Sequence, residues 1–158
     1  MNRLVTSLVL TVASATAAAQ SFPAKPIRVI IPFVAGGSSD IVGRAMASKF
    51  QELLGQPGVV ENRPGANGAI AAEFVAKAEP DGYTVLVGSI GVFSINAALF
   101  KDLRYHPVRD FAPLTLAVTT PNVLITKPTL AAGSLKELVE HMKKNPGKLS
   151  YCSSGTGS

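Results

Sequence analysis

The strongest constraint in this chain is a β-branched run, Ile27-Arg28-Val29-Ile30-Ile31, that opens directly into Pro32-Phe33-Val34-Ala35-Gly36-Gly37-Ser38-Ser39-Asp40. A near-continuous apolar run of this length suits a strand buried on both faces, as in a parallel sheet. Parallel strands need a crossover, and the next segment supplies one. It places Val42, Met46, Phe50 and Leu53 on one helical face, with Arg44 and Lys49 elsewhere, and Gly55 and Pro57 end it. The alternation then repeats. Val59-Val60-Glu61 reads as a short strand and Asn62-Arg63-Pro64-Gly65 as a turn. Asn67 can cap a helix that carries Ile70, Phe74 and Ala78 and is stopped by Pro80. Asp81-Gly82 is a turn signal, and Tyr83 to Val87 is the next strand. Gly88-Ser89 closes that strand before a short helix through Ile95, Ala98 and Leu99. Strand, helix, strand, helix, strand predicts an α/β fold with right-handed crossovers.

The character changes after about Asp110. Leu114 to Val118 and Val123 to Thr126 read as two strands joined through Thr119-Thr120-Pro121-Asn122. Ser134-Leu135-Lys136-Glu137 has the spacing of a capping box, in which the serine oxygen takes an amide three residues on and the glutamate reaches back. The helix it opens should bury Leu135, Leu138, Val139 and Met142 and end before Pro146-Gly147. Leu149 to Cys152 reads as a strand feeding Ser153-Ser154-Gly155-Thr156-Gly157-Ser158. A strand leaving into such a loop should feed a helix, so the chain is expected to stop within a second lobe. The expected division is 1–19 as signal peptide, 20–112 as the N-terminal part of lobe 1, and 113–158 as the beginning of lobe 2.

The signal peptide is expected from the first residues. Met1-Asn2-Arg3 is a short basic start, Leu4 to Val12 is apolar, and small residues follow at A-x-A spacing. The apolar part is far below the ~20 residues needed to span a bilayer. Cleavage after Ala19 would leave Gln20 first, with Ala17 as the second choice, and the exported protein is expected to be soluble. The formal net charge of +5 is scattered rather than clustered, which gives no nucleic-acid patch. A single cysteine, Cys152, excludes an intrachain disulfide and a thiolate zinc site.

Two loops are alike in kind: Phe33 to Asp40, and Ser153 to Ser158. Each leaves the C-terminal end of an expected parallel strand, where ligands bind in open α/β sheets. A helix N-terminus there offers unpaired amides and the positive end of a dipole, so anions are favoured. Glycine lets backbone come close and serine adds a hydroxyl donor. Hydrogen bonds to a charged acceptor are worth roughly 1.5–3 kcal/mol each, so three or four approach the ~8 kcal/mol of a micromolar complex. Asp40 does not suit direct contact with an anion and reads as an N-cap or first-turn acid. Neither loop matches GxGxxG or GxxxxGK[ST], so nucleotide phosphate is not indicated. The sequence has no HExxH, CxxC or GxSxG. His106 and His141 read as exposed structural residues, Cys152 as a buried small hydrophobe, and Arg63 as a solvated turn arginine or an anion contact.

Several stretches together, KPIRVIIPFVAGGSSDIVGR, LGQPGVVENRPGANG, AEPDGYTVLVGS, INAALF, HPVRDFAPLTLAVTTPNVLI and NPGKLSYCSSGTGS, resemble the substrate-binding receptors of tripartite tricarboxylate transporters, often called Bug-type receptors. The resemblance runs from about Phe22 to Ser158. It implies a two-lobed periplasmic binding protein of type II-like α/β architecture, of which only the N-terminal half is present. It further implies a small carboxylate ligand, membrane transporter subunits as partners, no cofactor, no metal and a monomer. The implied ligand-binding residues are Phe33, Gly36, Gly37, Ser38, Ser39, Asp40 and Ser89 on one side and Ser153, Ser154, Gly155, Thr156, Gly157 and Ser158 on the other. The chain departs from the family's usual pattern at Val34-Ala35, Ser39, Ala97 and Cys152. Two other readings stay open at this point: an exported α/β hydrolase-like enzyme using Ser153 or Ser154, and a secreted domain whose loops only turn corners.

Overall fold

The computed structural model describes residues 22–121 and 123–152. The expected signal peptide and the loop Ser153–Ser158 lie outside the described residues, as does Asn122. The parallel sheet forms as expected, from β1 (Ile27–Ile31), β2 (Gly58–Asn62) and β3 (Thr84–Leu86) in the order β2-β1-β3. In register, Val29 faces Val60 and Val85, and Ile30 faces Glu61 and Leu86. Helix α1 (Ser38–Leu54) crosses from β1 to β2, and α2 (Ala69–Ala76) crosses from β2 to β3. Right-handed crossovers to opposite neighbours of β1 put the two helices on opposite faces of the sheet. Val29, Ile30 and Ile31 are fully enclosed, each contributing about 1.5–3 kcal/mol of apolar burial. Val29 and Ile31 pack with Ala47, Phe50, Val60 and Val87 under α1. A second cluster joins Ala72, Val92 and Tyr105 to Phe33, Leu86, Phe93, Leu103 and Phe111.

Helix α1 buries a different line of residues from the one its bulky side chains suggest. Asp40, Gly43 and Ala47 face the sheet, with Phe50 half-buried, whereas Leu53 is 73% exposed. The reason is close approach. A Cβ on Gly43 would lie 2.6 Å from Ile31 Cδ1, and one on Gly58 only 2.5 Å from Ala47 Cα. Small residues let the helix axis settle onto β1 and β2; Val42, Met46 and Phe50 flank that contact half-buried, Phe50 packing on the core, and Leu53 points away.

Asn67 does not cap α2. It sits at φ 49°, within a left-handed turn formed by Gly65 (φ 128°), Ala66 (φ 46°), Asn67 and Gly68 (φ 82°), and Gly68 is the residue that precedes the helix. Asparagine tolerates this conformation, while alanine there is strained. The buried residues of α2 are Ala71 and Ala72; Ile70 is exposed and Phe74 half-buried. After β3 the chain makes a π-helical turn, Gly91–Ile95, that runs into α3 (Asn96–Leu99). Phe111 closes this body by edge-on contacts with Phe93 and Tyr105, at centroid distances of 5.3 and 5.8 Å.

Beyond Phe111 the expected strands do not form among the described residues. Leu114, Leu116, Val123, Leu124 and Ile125 are exposed, and Tyr151 is 92% exposed. Their β-branched and apolar composition marks segments that fit a pleated surface, but a strand exists only when a neighbour completes its ladder. Cys152 is accordingly exposed rather than buried. Helix α4 (Leu135–Lys144) does form, with Ser134 Oγ accepting from the Glu137 amide at 3.2 Å. Glu137 reaches back to the Gly133 amide at 2.7 Å, one residue earlier than the capping box places it. Of its expected apolar face only Leu138 is buried; Leu135, Val139 and Met142 are exposed. No helix among the described residues is long and apolar enough to cross a membrane.

Candidate functional site

Because the chain steps from β1 to β2 on one side and then from β2 back across β1 to β3 on the other, the C-terminal end of β1 is the point where the strand order reverses. Crevices form at such points in open α/β sheets. Three loops meet at that edge: 32–37 after β1, 63–68 after β2 and 88–90 after β3. The Val87 amide donates to Ile30 O at 3.0 Å and the Arg63 amide to Ile31 O at 2.8 Å, so all three loops depart from one level of the sheet. Gly68 packs so closely on Pro32 and Val92 that a Cβ would lie 2.8 Å from each. The structure therefore places Phe33, Gly36, Gly37, Ser38, Ser39 and Asp40 on the loop and helix start after β1, and Ser89 on the loop after β3, at the same edge of the sheet. Ser153–Ser158 cannot be placed against them, being outside the described residues.

The first loop is held in one shape. Gly36 lies at φ 87°, a conformation that suits glycine, and a Cβ there would meet nothing within 4 Å. Gly37 is extended and precedes the helix without any side-chain cap. Among the described residues the amides of Gly37, Ser38 and Ser39 reach no acceptor, whereas those of Asp40 and Ile41 return to Gly37 O at 3.0 and 3.1 Å. Ser38 is exposed and Ser39 half-buried. The first turn of α1 thus presents three amides and two hydroxyls at a helix N-terminus, a neutral donor set for an anion.

Asp40 is only 3% exposed and faces inward. Its Oδ2 accepts from Arg44 Nε at 2.8 Å and from the Gly36 amide at 2.9 Å, and its Oδ1 accepts from Asn62 Nδ2 at 2.9 Å. The Arg44 guanidinium first, then the Gly36 amide and Asn62, hold its carboxyl down from 3.8 to about 2. Asp40 is therefore not the N-cap, which is Gly37, but the first-turn acid, in the third helical position and reaching back over the loop. A carboxyl whose folded value is depressed stabilises the fold fully above its unfolded value and loses that contribution as pH falls toward the folded one. Glu61 is lowered mainly by Arg28, Glu73 by Lys77, Asp81 by the Tyr83 amide and Asp110 by the His106 amide, and all act with the same sign. Stability measured by urea unfolding should be flat from about pH 7 to 5 and decline between about pH 4 and 2. A main loss centred at pH 6 would contradict this assignment.

Arg63 is neither a solvated turn residue nor an open anion contact. Its guanidinium lies 3.7 Å from the centroid of the Phe74 ring and 3.2 Å from Glu61 Oε2. Glu61 is also gripped by Arg28 through two bonds of 2.7 and 3.0 Å. Arg28 is thus committed to Glu61, and Arg63 to Glu61 and the Phe74 ring, while Arg63 Nε is buried with no partner among the described residues. His106 is exposed as expected, and its Nδ1 accepts from the Val108 and Arg109 amides within its own turn.

Sequence reasoning missed two supports of the site. One is Asn62, read only as part of a turn. The other is Asn96, fully buried, whose Nδ2 donates to Asn67 O at 3.1 Å and to Tyr105 Oη at 3.3 Å while Asn67 Nδ2 donates to its Oδ1 at 2.9 Å. Tyr105 Oη in turn donates to Val92 O. This network ties the left-handed turn after β2 to the π-helical turn after β3. A buried asparagine separated by 29 residues from its partner leaves no local signal in the sequence.

Comparison with known proteins gives a consistent picture. The model of a family described as Tripartite tricarboxylate transporter family receptor matches residues 42–158. A UPF0065 protein of Bordetella pertussis is 40% identical over 155 residues, covering 98% of this chain and 48% of that protein. A Rhodopseudomonas palustris protein solved with adipate superposes with a TM-score of 0.81 at 34% identity, over 87% of this chain and 46% of the other. MatC from the same organism, with bound malate, gives 0.70 at 37% identity, over 77% and 42%. The periplasmic binding protein BugD gives 0.72 at 36% identity, over 87% and 46%. The chain spans about half the length of the relatives it matches.

Proposed function

The chain belongs to the tripartite tricarboxylate transporter family of receptors, and from that premise we propose that the whole protein is a periplasmic receptor. It captures a small organic carboxylate by closing two lobes on it and hands it to a membrane transporter, with no chemical step. The observation that carries this reading is the set of amides of Gly37, Ser38 and Ser39, without an acceptor among the described residues, at the switch point of the sheet. Relatives solved with adipate and malate place dicarboxylates in proteins of this fold. In this reading residues 1–19 direct export, residues 20–112 belong to lobe 1, and lobe 2 begins at 113. Phe33, Gly36 to Ser39 and Ser89 form one jaw, Ser153 to Ser158 contribute the other, and Asp40 shapes the first jaw from behind. The hydrolase alternative has no support from the relatives.

Titration calorimetry of the whole mature protein against adipate, malate, other dicarboxylates and amino acids is the direct test. At least one carboxylate should bind with micromolar affinity, roughly 8 kcal/mol. Gly36→Val should weaken it tenfold or more, because a β-branched residue is strained at φ 87°. If no small anion binds, the receptor reading fails.

A further inference from the structure

We propose that Asn62, at the end of β2, is the positioning residue that keeps the first loop in its anion-receiving shape; the proposal rests on the carboxylate-receptor reading. One side-chain amide makes both bonds that close the loop. Asn62 Nδ2 donates to Phe33 O at 3.0 Å and to Asp40 Oδ1 at 2.9 Å, so the start of the loop and the first turn of α1 hang on the same nitrogen. The other oxygen of Asp40 draws the Gly36 amide inward. With the loop tied at residues 33, 36 and 40, the amides of Gly37, Ser38 and Ser39 at the start of α1 reach no acceptor among the described residues.

The position of that nitrogen is set by the sheet. Asn62 pairs with Ile31 in the parallel ladder, and the next amide, of Arg63, donates to Ile31 O at 2.8 Å. Strand register thereby dictates loop shape on the neighbouring strand. The chemistry is narrow. Two acceptors, one of them a carboxylate, call for a donor with two hydrogens on a short arm, which only the amide of asparagine supplies at this length. Aspartate would set a second carboxylate against Asp40 and the Phe33 carbonyl, and serine offers one hydrogen on a shorter arm.

The test uses the whole protein and its Asn62→Ala and Asn62→Ser variants, with amide hydrogen exchange and calorimetry with adipate and malate read side by side. In Asn62→Ala the Gly36 amide should exchange at least tenfold faster, while the ladder amides of Val87 and Arg63 keep their protection. Affinity for whichever carboxylate the parent binds should fall at least tenfold. Asn62→Ser should show both effects more weakly, and it carries the test if the alanine variant does not fold. Unchanged exchange at Gly36, or faster exchange with undiminished affinity, overturns the proposal. Equal acceleration at Gly36 and along the ladder also overturns it, since Asn62 would then serve the fold and not the loop. Should the parent bind no carboxylate, the receptor reading fails, and the exchange data alone still decide whether Asn62 holds the loop.

Discussion

Gly58→Val should destabilise the protein by about 3 kcal/mol, at the upper end of the cost of overpacking a well-filled interior. The cause is backbone against backbone. A Cβ at Gly58 would stand 2.5 Å from Ala47 Cα and 2.9 Å from Ala47 O, and neither can rotate away as a side-chain tip can. Helix α1 would have to lift from β2, and the buried line Asp40, Gly43 and Ala47 would lift with it. Because the first turn of α1 carries the unbonded amides of the site, carboxylate affinity should fall together with stability. Gly43→Ala provides the contrast. Its new methyl group meets the Ile31 Cδ1 tip at 2.6 Å, which can turn aside, so the loss should be about 1 kcal/mol. Urea unfolding of both variants, with unchanged slope, checks the pair; a smaller loss for Gly58→Val than for Gly43→Ala would refute the account.

Asn96→Ala should cost a comparable amount, about 2–4 kcal/mol, for a different reason. It removes a fully buried side chain that donates to Asn67 O and to Tyr105 Oη and accepts from Asn67 Nδ2. The partners lose hydrogen bonds where water does not readily replace them, at about 1–3 kcal/mol for a buried group left unsatisfied. Ala66 and Asn67, at φ 46° and 49°, would then lose the anchor that offsets the strain of their turn. Tyr105→Phe should cost less, since it removes only the hydroxyl. The double variant should fall short of the sum of the two by at least about 0.5 kcal/mol, the signature of one shared network. Additive losses would show that Asn96 and Tyr105 act independently.

The sheet and its crossovers were legible in the sequence because their signal is local. Ile27 to Ile31 is a strand at the same bounds in both readings, since four apolar residues interrupted only by Arg28, between turn formers, leave few other ways to be buried. The loop Pro32 to Asp40 was equally legible as the mouth of that strand, its glycines and serines being the residues such a turn requires. The buried face of α1 was not. Bulky residues at 42, 46, 50 and 53 carry the stronger periodic signal, and the first three are half-buried, yet the closest approach to the sheet went to Gly43 and Ala47, where a hydrophobicity pattern has least to register. Segments 114–118, 123–126 and 149–152 show the opposite failure. Their composition announces strands, but pairing is a relation between segments and is not contained in either one.

Asp40 marks the boundary between the two kinds of information. The sequence by itself determined that an acid stands in the first turn after a Gly/Ser loop, and that this loop follows a strand buried on both faces. It also determined the family, through six short stretches in order, because each stretch is contiguous along the chain. Only the tertiary structure decided that the carboxylate of Asp40 turns inward to Gly36, Arg44 and Asn62, leaving the amides of Gly37, Ser38 and Ser39 without an acceptor among the described residues. The difference is one of range. Strand, turn and helix starts are settled by neighbours a few residues apart, whereas the orientation of Asp40 depends on a strand 22 residues away, brought alongside by the sheet's parallel register.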